Sequence, residues 1–381
     1  MRTRSLGVAI AFLTVTRLVV NTAHRFVFPF LPAISRGLGI SLAQGGLLMS
    51  ARSVAFVATP AIVATAGRGE RRVRLGVWAL GMMSVGALIT AATGVYAGAF
   101  VGFILLGLGK PSFDAAAQSY VADRTPYERR ARYMSILELT WAGGLLVGAP
   151  LAGWLIDGFG WEAPFWLVGV LLAITMLAAP ALLEADIPQE PSERSRLSLD
   201  HTRWALLITA ALFSFAAETT FIVFGAWLEG GFGLSLAALG LASTLIALAE
   251  MTGEGAVLAF ADRVGKLRMV GWGLGASAIG YVALAPASSS LPLGLAALAA
   301  TFVAFEITIV STIPLASELA PGARSRYLAL LMVALGIGRS IGDLVGPALF
   351  TWQGIPANAL VSALGAIAAL AVILTVGRTR S

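Results

Sequence analysis

The sequence has no cysteine, two histidines and, among 26 basic residues, only the two lysines Lys110 and Lys266. Without cysteine there are no disulfides, no thiol catalysis and no Cys-ligated metal; His24 and His201 are too few and too distant for an imidazole metal site, and no cofactor is implied. Charge is scarce too, 12% of residues against 58% hydrophobic. A soluble fold of 381 residues could not bury that much apolar side chain, so the composition places the chain in a membrane. The net charge of +6 would fit a nucleic-acid binder, but the positions of the arginines exclude that reading. The first apolar segment carries Arg17, Asn21, His24 and Arg25 and lacks a small-x-small cleavage site, so it is not expected to be a secretory signal.

What is present is long apolar runs. Taking about 20 apolar residues as one helical span, twelve spans are predicted near 6–30, 43–66, 75–93, 97–119, 133–155, 163–183, 204–228, 236–260, 269–287, 293–316, 327–351 and 357–377. The intervening basic residues alternate. Arg2 and Arg4, the loops around 68–74, 124–132, 194–203, 263–268 and 324–326, and Arg378 and Arg380 share one side, while the opposite loops hold only Arg36. By the positive-inside rule both termini are cytoplasmic, in a plasma (inner) membrane, and the arginines face anionic lipid headgroups.

The chain also repeats itself. Gly39, Ser41, Leu42, Ala43, Gly46 and Leu47 recur as Gly233, Ser235, Leu236, Ala237, Gly240 and Leu241, and the same offset of 194 relates Arg132-Tyr133 to Arg326-Tyr327 and Gly144 to Gly338. A tandem duplication is expected, with a six-helix half over 1–183, a cytoplasmic linker over 184–203 containing Pro188 and Pro191, and a second six-helix half over 204–381. Parallel repeats of this kind are a mark of secondary transporters, whose substrate site lies between the halves. Spans 3, 6, 9 and 12 contain no Asp, Glu, Lys, Arg or His, as expected of lipid-facing helices around a polar interior.

Three motifs carry a family resemblance. Asp262-Arg263-Val264-Gly265-Lys266, after span 8, resembles the conserved loop motif of the major facilitator superfamily; its first-half counterpart, Ala66 to Arg71, has lost the aspartate. Pro29-Phe30-Leu31-Pro32 resembles the Pro-x-x-Pro signature of the twelve-span drug:proton antiporter branch. Gly144, Gly148, Pro150 and Gly153 resemble that branch's span-5 antiporter motif, with Ala149 and Trp154 where it has glycines. Small residues at this spacing also fit ordinary close helix packing. The arginine usual in span 4 falls at Phe103, and Lys110 is a cation on nearly the same face.

The resemblance implies the all-α major facilitator fold, no enzymatic activity, and a monomer that moves a small molecule with protons by alternating access. Span 1 would then line the cavity with Arg17, Asn21, His24 and Arg25, unless His24 and Arg25 reach for headgroups. Glu218, at the repeat position of His24, and Glu306, near mid-bilayer, are candidates for substrate and proton binding, or are permanently ion-paired. Asp114 and Glu138 are further proton candidates, with Asp114 expected to brace the basic loop 67–74. Glu250 and Glu254 would meet Glu138 if span 8 faces span 5. Asp262, Arg263, Gly265, Lys266, Gly148 and Pro150 are expected to gate the carrier. Arg52 and Asp343, at matching depth on spans 2 and 11 roughly 12–14 Å below the outer boundary, should pair when the carrier faces inward and separate when it faces outward, with Arg339 as competitor. Efflux of an organic or amphipathic compound is the reading; uptake of an organic anion, lipid flipping and, remotely, an intramembrane enzyme are the alternatives.

Overall fold

The computed structural model describes residues 6–66, 72–184 and 197–378. The arginines at 2, 4, 68, 71, 194, 196 and 380, Glu70 and linker positions 185–196 lie outside the described residues. Within them are fifteen α-helices, a 3₁₀ turn at Pro321–Ala323 and no strand, making twelve helices long and apolar enough to cross a membrane. Span 1 is α1 (Leu6–Arg25) continued by α2 (Val27–Gly37); spans 2 to 4 are α3 (Leu42–Ala66), α4 (Arg72–Thr93) and α5 (Tyr96–Arg124). Span 5 is α6 (Tyr127–Leu146) and α7 (Gly148–Phe159), and span 6 is α8 (Ala163–Leu182). Span 7 is α9 (His201–Phe221) and α10 (Phe224–Phe232); spans 8 to 12 are α11 (Leu236–Val264), α12 (Lys266–Ala287), α13 (Leu291–Leu319), α14 (Arg324–Gln353) and α15 (Ile355–Arg378). Helices run past the apolar windows mainly at the arginine-rich end, where charged turns extend α5 and α11 beyond the hydrophobic stretch.

The breaks in spans 1 and 5 follow from proline. Pro29 and Pro150 have no N–H to offer the carbonyls of Arg25 and Leu146, so the helix interrupts three residues earlier, at Phe26 and Val147. Span 7 breaks at Ile222 and Val223 without a proline, yet these are the repeat positions of Phe28 and Pro29. There spans 1 and 7 nearly touch: a Cβ on Gly225 would lie 2.1 Å from the Pro29 carbonyl oxygen.

Spans 3, 6, 9 and 12 present Trp78, Trp166, Leu177, Trp272, Ile279 and Leu360 outward, as expected of lipid-facing helices. One core runs through the first half and crosses into the second at the end opposite the arginines, joining Phe28, Leu31 and Leu48 to Phe224, Leu228 and Leu239. At the arginine-rich end the second half keeps a separate core around Leu206, Leu315 and Leu331. The halves are therefore knitted together at one end and parted at the other.

Candidate functional site

Two glycine-lined seams hold the closed end. Between spans 2 and 11, a Cβ on Gly46 would lie 2.5 Å from the Asp343 carbonyl oxygen and 2.7 Å from Pro347. Pro347 has no N–H, which leaves that carbonyl outside the helical ladder. Between spans 5 and 8, a Cβ on Gly153 would lie 2.5 Å from the Leu236 carbonyl oxygen and one on Gly240 2.9 Å from the Ala149 carbonyl oxygen. Gly144 and Gly148 turn the other way, onto Asn21 and Thr22 of span 1. The span-5 motif thus works as a double packing surface, Gly148 toward span 1 and Pro150 toward Gly240 of span 8. Arg36 of α2 closes the rim with two hydrogen bonds to Glu229 of α10, at 2.9 and 2.6 Å.

Toward the arginine-rich end the halves enclose a cavity of about 680 Å³, with Gln118, Ser325 and Arg326 near its mouth. Its wall is mostly apolar, including Phe56, Trp141, Phe305 and Met332, and its charged members are Lys110, Asp114, Glu138, Glu254, Glu306, Arg326 and Arg339. Of the four span-1 candidates only His24 lines it; Arg17, Asn21 and Arg25 do not, which corrects the expectation that all four face the cavity. A guanidinium at this depth costs about 2.5–3.5 kcal/mol unless matched, and each of these side chains has turned into the protein to find a partner. Arg17 pairs with Asp114 (3.0 Å) and Glu138 (3.0 Å). Asn21 donates to Thr140 at 3.0 Å. Arg25 crosses to the second half, donating to both oxygens of Glu250 at 2.7 and 2.5 Å and to the Trp141 carbonyl at 3.0 Å, with its guanidinium 4.2 Å from the Trp141 ring centroid. Neither Arg25 nor Glu250 reaches headgroup or solvent.

Two further expectations are corrected. Asp114 bonds no described residue of the basic loop, of which 67–71 lie outside the described residues: it accepts from Arg17 and, at 2.5 Å, from Lys110, its own helical neighbour four residues away. Loop residue Arg72 is bonded instead by Asp123, at 2.6 Å. Arg52 and Asp343 share a depth but make no ion pair. Arg52 donates to the His24 carbonyl at 2.7 Å and lies 5.0 Å from the Phe28 ring centroid, while Asp343 accepts from Ser53 at 2.6 Å. Span 2 is rotated so that Ser53, one position on, meets span 11. Arg339, the expected competitor, stands 3.9 Å from Glu218.

Glu218 and His24 do come together across the halves, lining a small pocket with Arg52 and Arg339. Glu306 is buried and Glu254 half-buried, both on the cavity wall and both without an ion pair among the described residues; Glu250 and Glu138, which would have crowded them, are taken by Arg25 and Arg17. In the gate-like loop Gly265 has φ +90°, which a side chain rarely adopts, and Lys266 pairs with Glu318 of span 10. Asp262 and Arg263 end α11. Sequence reasoning missed Trp141, whose ring meets both Arg25 and Lys110, as well as Ser53 and Glu229. No repeat or motif marked them.

The comparisons agree with this architecture. The chain is 29% identical over 281 residues to the class C tetracycline resistance protein of Escherichia coli, covering 68% of this chain and 69% of that one. It is 25% identical over 384 residues to the MFS-type transporter YwfA of Bacillus subtilis (strain 168), covering 96% and 90%. The crystal structure of the POT family transporter PepTSo superposes with a TM-score of 0.78 at 13% identity, covering 97% and 98% of the two chains, which shows the fold. The model of the Major Facilitator Superfamily matches twice, over residues 13–209 and 206–381, so the chain belongs to that superfamily and is a transporter, not an enzyme.

Proposed function

We propose that the protein is a proton-coupled exporter of small organic or amphipathic compounds, a monomer in the inner membrane with both termini in the cytoplasm. The observation that carries this reading is the cavity between the halves, open at the arginine-rich end and sealed by the two seams at the other. With the arginines cytoplasmic, the structure is in the state that admits a substrate from inside the cell. An apolar, aromatic wall with the carboxylates of Glu254 and Glu306, which have no ion pair among the described residues, suits an amphipathic substrate with a cationic end. The resemblance to a tetracycline resistance protein supports outward transport of a drug-like compound. Glu218 and Glu306, buried and without a hydrogen-bonded cation, are the proton-coupling candidates on which the reading rests.

A second reading, uptake of an organic anion, is favoured by Lys110, Arg326 and Arg339 on the same wall. The two separate in proteoliposomes with an imposed pH gradient, tested with ethidium, tetracycline and citrate. Export predicts ethidium or tetracycline movement against the proton flow, abolished in Glu306→Gln. Citrate moving with protons, and neither ethidium nor tetracycline responding, would favour the second reading.

A further inference from the structure

Glu218 of span 7 and Asp343 of span 11 stand with their carboxylates in hydrogen-bond contact. Gly342 makes the approach possible, because a Cβ there would lie 2.7 Å from the Glu218 Cβ and 3.0 Å from the Phe215 carbonyl oxygen. Asp343 is wholly inaccessible and Glu218 is 6% exposed. Two carboxylates touching in a low-dielectric interior cannot both stay ionised unless cations bond them directly.

The surrounding cations do not. From span 2, Arg52 gives its Nη1 to the His24 carbonyl and its Nε has no hydrogen-bond partner. From span 11, Arg339 Nε is 3.9 Å from Glu218, beyond hydrogen-bond distance. His24 and Arg25 face the pair from span 1, Tyr281 from span 9, and Glu306 of span 10 shares the field of Arg339. Asn358 of span 12 is occupied with the carbonyls of Thr219 and Gly346. Ser53 donates to Asp343 Oδ2 from the other half, while Asp343 Oδ1 is buried with no donor among the described residues. A proton held between the carboxylates supplies the missing donor.

We propose that Glu218 and Asp343 form one proton-binding site, an acid dyad that holds a single proton at the boundary between the halves. The small pocket beside it shares His24, Phe56 and Arg339 with the large cavity, which gives the proton a polar route to the open end. Ser53 ties the dyad to the first half, so occupancy of the site and closure of the span 2–span 11 seam are linked through one hydrogen bond. The dyad's use in transport rests on the proposed proton coupling, but its chemistry does not.

Infrared difference spectroscopy on the full-length protein in lipid nanodiscs, titrated in H₂O and D₂O, reads the proton directly. The expected result is a deuterium-sensitive protonated-carboxyl band, lost in Glu218→Gln and equally in Asp343→Asn, with the double variant losing no more than either single one. Glu306→Gln leaves it in place. Ser53→Ala, which keeps both acids, moves the midpoint of the same band and serves if a carboxamide variant does not fold. Survival in either single variant of the band that Glu306→Gln leaves in place, a double variant that loses twice as much of it, or a midpoint indifferent to Ser53 overturns the dyad. A dyad band in a protein whose ethidium flux ignores the pH gradient refutes proton coupling and keeps the dyad. Gradient-driven flux without the band does the reverse.

Discussion

Arg25 and Glu250 meet through two hydrogen bonds, 2.7 and 2.5 Å, across the boundary between the halves, and their side chains are 1% and 2% exposed. Removing one partner from such a pair leaves an uncompensated charge and costs about 3–5 kcal/mol, whereas replacing both by apolar side chains is near neutral. Glu250→Gln should therefore lower the melting temperature in detergent sharply, and Arg25→Met with Glu250→Met should recover most of the loss. Tryptophan fluorescence during heating checks both, and a single variant as stable as the wild type would contradict the assignment.

The contrast with Arg52 and Asp343 shows how far the sequence could be read. Apolar windows located all twelve spans and arginine positions gathered one end, because each of these is a property of one helix; the breaks at Phe26 and Val147 were not read from the sequence, although each lies three residues before a proline. Partner choice is not a property of one helix. Depth arithmetic put Arg52 and Asp343 level, but the rotation of span 2 by one residue handed Asp343 to Ser53. Arg17, Asn21 and His24 are legible as a polar stripe with Arg25 at its edge, yet whether a stripe faces a cavity or neighbouring helices depends on the helices packed against it. The break in span 7 has no proline to announce it and is visible only through its repeat in span 1.

Glycine positions give a stability contrast. A Cβ on Gly342 would meet the Glu218 Cβ at 2.7 Å, while one on Gly255 meets nothing within 4 Å. Gly342→Ala should cost about 1–3 kcal/mol by overpacking and separate spans 7 and 11; Gly255→Ala should be neutral or stabilising by up to roughly 1 kcal/mol through helix propensity. Parallel melting curves decide, and equal effects would contradict the close approach.

The Arg36–Glu229 latch is exposed, Arg36 at 61%, so it contributes only about 0.2–1 kcal/mol. That is too little to unfold the protein and enough to shift a conformational equilibrium by up to about fivefold. Arg36→Ala should raise the rate at which a thiol reagent modifies Ser50→Cys, a position buried in the span 2–span 11 seam and bonded to the Ser340 carbonyl. High salt should produce part of the same increase in the parent chain. An unchanged rate in Arg36→Ala would show that the latch does not hold this end.

Orientation is open to a direct test because the chain has no native cysteine. Ser198→Cys at the arginine-rich end and Ser289→Cys at the opposite end are single-thiol reporters. An impermeant maleimide added to intact cells should label Ser289→Cys alone; labelling of Ser198→Cys alone would invert the topology and turn the cavity outward.

The central claim is that the open and closed ends exchange roles around one cavity. Electron–electron spin resonance distances in lipid bilayers test it with one label pair at the cavity mouth, Gln118→Cys with Ser325→Cys, and another across the sealed end, Ala43→Cys with Ala237→Cys. All four positions are exposed. Across a pH series, with and without ethidium, the account predicts opposite changes: as the mouth pair shortens, the pair at the sealed end lengthens. Two distances that stay fixed under every condition, or that lengthen together, would contradict it.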